Sequence, residues 1–274
     1  MLQIGECLYY SELRGAAMQH VQTIWLTGAT SGIGEALVSR CLAGGKRVAI
    51  TARNVQKLYD MANRLNAGDQ LVLVPADVSN EEELQQAYER VREIMGVPDL
   101  VMANAGTHLN MPASKITLEK CRHLFEVNLY GSVATLLVAL PDMLERGSGH
   151  LVGVGSLSSY RGLPLAAAYG ATKSGLNNFL QSLRFDVETY GLTVTAVNPG
   201  FVKTPLTDLN AYPMPFIISS ERAAEYIWKG LAKKKMEIHF PPIFSWSCKL
   251  LRILPYPVYH ALVRRITGSR NRRG

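Results

Sequence analysis

From residue 23 onward, short apolar and β-branched runs alternate with longer stretches of helical periodicity, and that alternation leaves few architectures open. The runs are residues 23–26, 47–51, 70–74, 99–103, 150–154 and 192–197. Between them, residues 34–42, 55–65, 81–95, 117–144 and 168–188 are each long enough for a helix. Strand followed by helix, repeated along the chain, predicts an α/β fold with a doubly wound parallel sheet covered on both faces. The strands show little polar alternation, which agrees with burial on both sides. Ligands in such sheets bind beyond the carboxyl ends of the strands, so the residues just after each strand are the first to inspect.

The 274 residues are long for one domain by simple division, yet single α/β domains reach this size, and 47% hydrophobic content suffices for one core. No low-complexity tract, repeat or linker divides the chain. Residues 21–240 are therefore read as one domain, preceded by an extension (1–20) and followed by a basic tail (241–274). The tail contains Lys249, Arg252, Arg264, Arg265, Arg270, Arg272 and Arg273 with no acid, which accounts for the net charge of +7. A near-neutral body argues against nucleic acid as a partner. Cys7, Cys41, Cys121 and Cys248 are scattered without metal-ligand spacing, so no metal site is expected and the thiols read as idle in a reducing compartment. The N-terminus does not read as a signal peptide, and no segment is expected to approach the ~20 apolar residues that span a bilayer. The expected location is cytoplasmic or at a membrane surface.

After the first run comes "TGATSGIGEAL", with Gly28, Gly32 and Gly34 leading into a helical pattern. Small residues let the backbone approach a pyrophosphate, and N–H groups at a helix start supply the positive pole that receives it. A glycine cluster alone can be only a tight turn, but strand before and helix after are the context a dinucleotide site demands. The second run ends in "ITARN". A carboxylate at that place would bind the ribose 2′-hydroxyl of NAD, whereas Ala52 and Arg53 stand there, and a guanidinium can pair with a 2′-phosphate. NADP(H) is expected in preference to NAD(H), which stays open, with Thr51 and Asn54 as helpers.

The spacing Gly-x-x-x-Gly-x-Gly resembles the short-chain dehydrogenase/reductase family, and further marks follow in order over residues 22–204. They are Asp77 in "ADVS", "NAG" at Asn104, Ala105 and Gly106, Asn128 in the long helix, Ser156, the pair Tyr169 and Lys173 in "YGATK", and "NPG" at 198–200. The resemblance implies a Rossmann-type fold with a C-terminal helical extension. It also implies a coenzyme site built from Gly28, Thr30, Ser31, Gly32, Ile33, Gly34, Arg53, Asp77, Val78, Asn104, Ala105, Gly106, Tyr169, Lys173, Pro199, Gly200, Val202 and Thr204. In the family Asp77 would hold the adenine amino group, Asn104 would brace the glycine loop, and Thr204 would contact the nicotinamide carboxamide. The residue-level alternative for Asp77 is an N-cap or turn residue. The resemblance also implies a homo-oligomer, a dimer or tetramer.

Reduction of a carbonyl makes an alkoxide that must receive a proton. Tyr169 is the expected donor: a phenol's usual pKa is about 10, and a cation one helical turn away favours the phenolate. Lys173 is that cation, and by the resemblance it also bonds the nicotinamide ribose. Ser156, thirteen positions before the tyrosine, would hydrogen-bond the substrate oxygen; Ser158 and Ser159 are its rivals. Asn128 would hold a water that links the lysine to solvent, or, read from the residue alone, is a buried amide satisfying a neighbouring carbonyl. His108, His123, His150 and His239 do not cluster; His108, just beyond "NAG", could line the pocket.

Residues 203–220 correspond to the family's substrate lid, and Tyr212, Met214, Phe216, Ile217 and Ile218 suggest an apolar or extended small-molecule substrate; the other reading is a loop packing its own hydrophobes. In the tail, Val258, Tyr259, Leu262, Val263 and Ile266 share one helical face beside arginines. Such a helix can lie on an anionic membrane, cover the pocket, or meet a partner subunit. Met18 stands where chains of the family commonly begin, so the residues before it are expected to be an upstream extension without a catalytic role. The expected activity is an NADP-dependent interconversion of a secondary alcohol and a carbonyl by hydride transfer. The rival readings are a catalytically silent NADP-binding regulator and, on the tail alone, a membrane-associated scaffold.

Overall fold

The computed structural model describes residues 18–208 and 214–268. Residues 1–17 of the extension, Tyr212 and the arginines at 270, 272 and 273 lie outside them. Among the described residues seven parallel strands form one sheet in the order β3-β2-β1-β4-β5-β6-β7. They are β1 (Thr23–Thr27), β2 (Arg47–Thr51), β3 (Leu71–Leu73), β4 (Leu100–Ala103), β5 (Gly149–Val154), β6 (Leu192–Pro199) and β7 (Glu237–Phe240). The period-2 rule divides the strands up to β6 between two cores, while β7 adds Ile238 and Phe240 to the first. Ile24 and Leu26 face one core and Trp25 the other, as do Leu100 and Met102 against Val101 and Ala103.

Helices α1 (Gly32–Ala43), α2 (Val55–Leu65) and α8 (Ser220–Ala232) close the first core through Leu37, Val38, Leu58, Met61, Ile227 and Trp228. The second is closed by α3 (Glu81–Met95), α5 (Gly131–Leu137), α6 (Leu140–Arg146) and α7 (Ala167–Val187), with Leu84, Tyr88, Leu136, Met143, Leu176 and Leu180. Helix starts carry their own signals: Asn54 accepts from Lys57 N at 2.9 Å, and Asn80 accepts from the amides of Glu82 and Glu83. Met18 is buried in the first core, and its carbonyl accepts from Lys46 Nζ at 2.9 Å, so the packed body begins before residue 21.

Three sequence expectations change here. The helix predicted over 117–144 is interrupted: α4 (Leu118–Phe125) passes into a π-helical turn, Glu126–Tyr130, before α5 and α6. The run Leu118–Arg146 is nevertheless long and apolar enough by length and composition to cross a membrane, contrary to the expectation that no segment comes near. Its apolar side is used otherwise, because Leu124, Leu136, Ala139 and Met143 are buried inside the protein. The tail forms two helices, α9 (Pro242–Ile253) and α10 (Tyr256–Thr267). The apolar face expected on the second is split, with Tyr259 and Val263 buried while Val258, Leu262 and Ile266 stay exposed.

Candidate active site

The strand order reverses between β1 and β4, which opens a crevice at their carboxyl ends. A cleft of ≈ 510 Å³ occupies it. Gly28, Thr30, Ser31, Gly32, Ile33, Gly34, Arg53, Asp77, Val78, Asn104, Ala105, Gly106, Ser156, Tyr169, Lys173, Pro199, Gly200, Val202 and Thr204 all line it. Asn128 alone of the expected site residues stands behind the wall.

The glycine loop is built for close approach. Gly28 and Gly32 have φ of +68° and +54°, conformations that L side chains rarely adopt. A Cβ on Gly34 would lie on the Gly28 carbonyl oxygen and 2.7 Å from Asn104 Nδ2. Asn104 holds this loop against β4 by donating to Gly28 O at 2.9 Å and Thr27 O at 3.2 Å. The first turn of α1 thus points its amide hydrogens into the cleft beneath a bare backbone, a donor set suited to a pyrophosphate.

At the far end Arg53 is 63% exposed, with Nη1 3.6 Å from Asp77 Oδ2. Burial pulls the Asp77 carboxyl upward, but two hydrogen bonds from Ser79 and the Arg53 guanidinium outweigh it and hold the group below its ordinary value. Asp77 is a turn residue; the N-cap of α3 is Asn80. The expected helpers Thr51 and Asn54 also line the cleft; the Thr51 Oγ1 accepts from Trp25 Nε1 at 3.0 Å and Asn54 Oδ1 caps α2, which leaves the Thr51 hydroxyl and the Asn54 amide hydrogens to donate. Lys57, which the sequence reading passed over, lines the same end. Its signal was the four-residue spacing from Arg53.

At the other end Tyr169 and Lys173 lie on consecutive turns of α7, with the ammonium 5.9 Å from the phenol ring centroid. Lys173 is 4% exposed, and its Nζ donates to Val154 O, at the end of β5, at 2.8 Å. Burial brings this ammonium down to about 8. The Tyr169 ring packs on a small apolar cluster that includes Met111, Leu124 and Ala168. His108 meets its edge at 4.5 Å and 81°. Burial lowers the imidazole's pKa, so at neutral pH His108 packs without adding charge.

Ser156 separates itself from its rivals by its partners. Its Oγ accepts from Ser158 N at 3.2 Å and Ser158 Oγ at 3.0 Å, which leaves its own hydroxyl hydrogen to donate. Ser159 is turned away, donating to Ser156 O and accepting from Asn177. Asn128 is fully buried in the π-helical turn, where Oδ1 accepts from Thr107 N at 2.7 Å and Nδ2 donates to Thr107 O at 2.8 Å. Its Oδ1 and Lys173 Nζ flank Gly106, at 3.2 and 3.4 Å from where a Cβ would stand. Of the other histidines, His150 bonds Thr195 and His239 bonds Ser245, both in packing roles away from the cleft.

One polar network joins the site to the tail. Asn198 Oδ1 accepts from Ser156 N at 3.1 Å, and Asn198 Nδ2 donates to Glu237 Oε1 at 2.8 Å. Glu237 also accepts from Tyr160, and from Lys249 of α9 at 2.7 Å. The segment after β6 is anchored nearby: Lys203 N donates to Ile218 O and Ile218 N to Phe201 O. Phe244 of α9 stacks on Phe201 and Phe216 and packs above Gly200. Phe244 thus sets an apolar side chain of α9 against Gly200, one of the residues that line the cleft.

Comparison with known proteins agrees with this geometry. The short chain dehydrogenase family model matches residues 22–212. An uncharacterized oxidoreductase of Myxococcus xanthus is 36% identical over 246 residues, covering 89% of this chain and 97% of the relative. A short-chain dehydrogenase from Streptomyces avermitilis superposes with a TM-score of 0.76 at 24% identity, over 91% of this chain and 98% of that one. An alcohol dehydrogenase from the archaeon Thermococcus sibiricus, complexed with 5-hydroxy-NADP, gives a TM-score of 0.73 at 26% identity, over 80% and 95%. The chain belongs to the short chain dehydrogenase family and is an NAD(P)-dependent oxidoreductase.

Proposed function

We propose that the protein interconverts a secondary alcohol and a carbonyl on a small apolar substrate, using NADP(H), with Tyr169 as general acid and base. The observation that carries this reading is the meeting of Ser156, Tyr169 and Lys173 in one cleft whose opposite end bears Arg53 and Lys57. The coenzyme, when bound, supplies or accepts the hydride. The amides of α1 and the glycine loop would hold its pyrophosphate, and Arg53 with Lys57 would meet a 2′-phosphate. The NADP derivative bound by the Thermococcus relative supports that choice. Ser156 donates to the substrate oxygen and holds it beside the Tyr169 hydroxyl. Tyr169 gives its proton to that oxygen in reduction and takes it back in oxidation, and the Lys173 ammonium stabilises the phenolate left behind. Asn128 positions the Thr107 backbone next to this group.

The coenzyme assignment has its own test. Replacing Arg53 with alanine is expected to weaken NADPH binding about 10- to 100-fold, as expected for loss of a charge-assisted phosphate contact, and to leave NADH binding nearly unchanged. Titration of intrinsic fluorescence with both coenzymes measures this, and equal weakening of the two would overturn the NADP(H) preference. The hydride-transfer reading is checked by NADPH consumption across a panel of apolar ketones; tight NADPH binding with no ketone reduced would favour the silent regulator.

The buried ammonium makes the reaction sensitive to pH. Because Lys173 loses its proton at about 8, kcat/KM for reduction is expected to fall as pH rises through that value. A profile that stays flat to about pH 9.5, well beyond this titration, would remove the lysine from the mechanism. Stability responds in the opposite sense. The unfolded lysine binds its proton more tightly, so folding gains as pH climbs from about 8 towards the ordinary 10.5.

A further inference from the structure

The outer side of α9 carries Ile243, Trp246, Leu250 and Ile253, spaced to fall on one face, and each is between 63% and 76% exposed. The inner side of the same helix is already engaged, through Phe244 on Phe216, buried Ser245, and Lys249 on Glu237. Apart from the edge of the Trp246 ring, which meets His239 of β7 at 5.5 Å, the apolar stripe is therefore on the side away from the body, which is the reverse of what a helix made only to pack would show. α10 adds Val258, Leu262 and Ile266, also exposed, with Arg264 and Arg265 projecting from the same helix.

The hairpin is held firmly in place. The Arg161 guanidinium donates to the carbonyls of Leu251, Arg252 and Leu254 and lies 4.1 Å from the centre of the Tyr259 ring, whose hydroxyl donates to Gly162 O at 2.7 Å. A rigid mount thus presents an apolar stripe, an exposed tryptophan and uncompensated cations. Arg252, Arg264 and Arg265 form no ion pair among the described residues. No acid occurs anywhere from 241 to 274.

We infer that this α9–α10 face docks on an anionic lipid surface. Charge decides between the candidate occupants. A second copy meeting the same face through two-fold symmetry would set these arginines against their own counterparts, with no acid in the tail to compensate. An anionic bilayer offers phosphates to the arginines and acyl chains to the stripe, and tryptophan favours that boundary.

The test uses the full chain and vesicles of phosphatidylglycerol mixed with phosphatidylcholine, compared with phosphatidylcholine alone. Cosedimentation with the mixed vesicles is expected, with release at high salt. Arg264→Gln combined with Arg265→Gln is expected to lower the partition coefficient roughly 30-fold. Leu250→Glu with Ile253→Glu is expected to abolish binding while reduction of a soluble ketone continues. Trp25 and Trp228 are buried, so quenching by brominated phosphatidylglycerol should come from Trp246 and disappear in Trp246→Phe. Failure to sediment with anionic vesicles at low salt would overturn the inference. So would binding unchanged by the Leu250/Ile253 pair, or a wild-type dimer that this pair dissociates without any vesicle affinity.

Discussion

Tyr169→Phe is expected to lower kcat/KM for carbonyl reduction by roughly 10²- to 10⁴-fold, the range for losing a positioned general acid. The substitution is clean for a structural reason. The ring, which packs on Met111, Leu124 and Ala168 and meets His108 edge-on, is retained, and only the hydroxyl goes. Lys173 keeps its bond to Val154 O, and Ser156 keeps its serine partners. NADPH affinity and thermal stability should therefore stay close to wild type while turnover collapses. Steady-state kinetics alongside a coenzyme titration would show this split. Turnover within a factor of a few of wild type would remove the phenol from its assigned place.

The second large effect is expected at Gly34. A methyl group there meets the Gly28 carbonyl of the loop and the Asn104 side-chain amide bonded to it, so neither can yield without opening the bond by which Asn104 holds the loop. Overpacking of this kind costs about 1–3 kcal/mol. In a chain of this size that corresponds to a fall in Tm of some 2–4 °C per kcal/mol. NADPH affinity is expected to drop at least about tenfold as well, since displaced amides no longer converge on the phosphates. Gly162→Ala is the control, because a Cβ there meets nothing within 4 Å and its φ is not left-handed. Equal behaviour of the two variants in thermal unfolding and coenzyme titration would refute the close-approach role of Gly34.

Much of this was legible along the chain because the fold's grammar is local. Strand and helix periods, and the glycines between the first strand and helix, are fixed by residues within a few positions of one another, and so is the pairing of Tyr169 with Lys173. Features that depend on distant residues were not legible. Thr51 lines the cleft as a coenzyme helper would, but that its hydroxyl oxygen also accepts from Trp25, 26 positions earlier, could not be read from its neighbours in sequence. The interruption at Glu126–Tyr130 hides inside an unbroken apolar pattern, because a π-turn changes only the hydrogen-bond step and not the residue types. The split face of α10 followed from Arg161 and Gly162, about a hundred positions upstream, which determine which side of the helix faces the body. Ser156 could be preferred over Ser158 and Ser159 by spacing, but only the direction of their hydrogen bonds shows which hydroxyl faces the cleft.

The line from Ser156 through Asn198 and Glu237 to Lys249 means that the tail is no detachable appendage. A protein trimmed before Pro242 would forfeit the ion pair of a half-buried carboxylate, leaving it the hydrogen bonds of Tyr160 and Asn198 and the more distant charge of Arg184. The asparagine that steadies the serine's amide would inherit the imbalance. A shortened enzyme with poor turnover would thus report a disturbed interior as readily as a missing surface, and only point changes on the outer side of α9 tell the two apart.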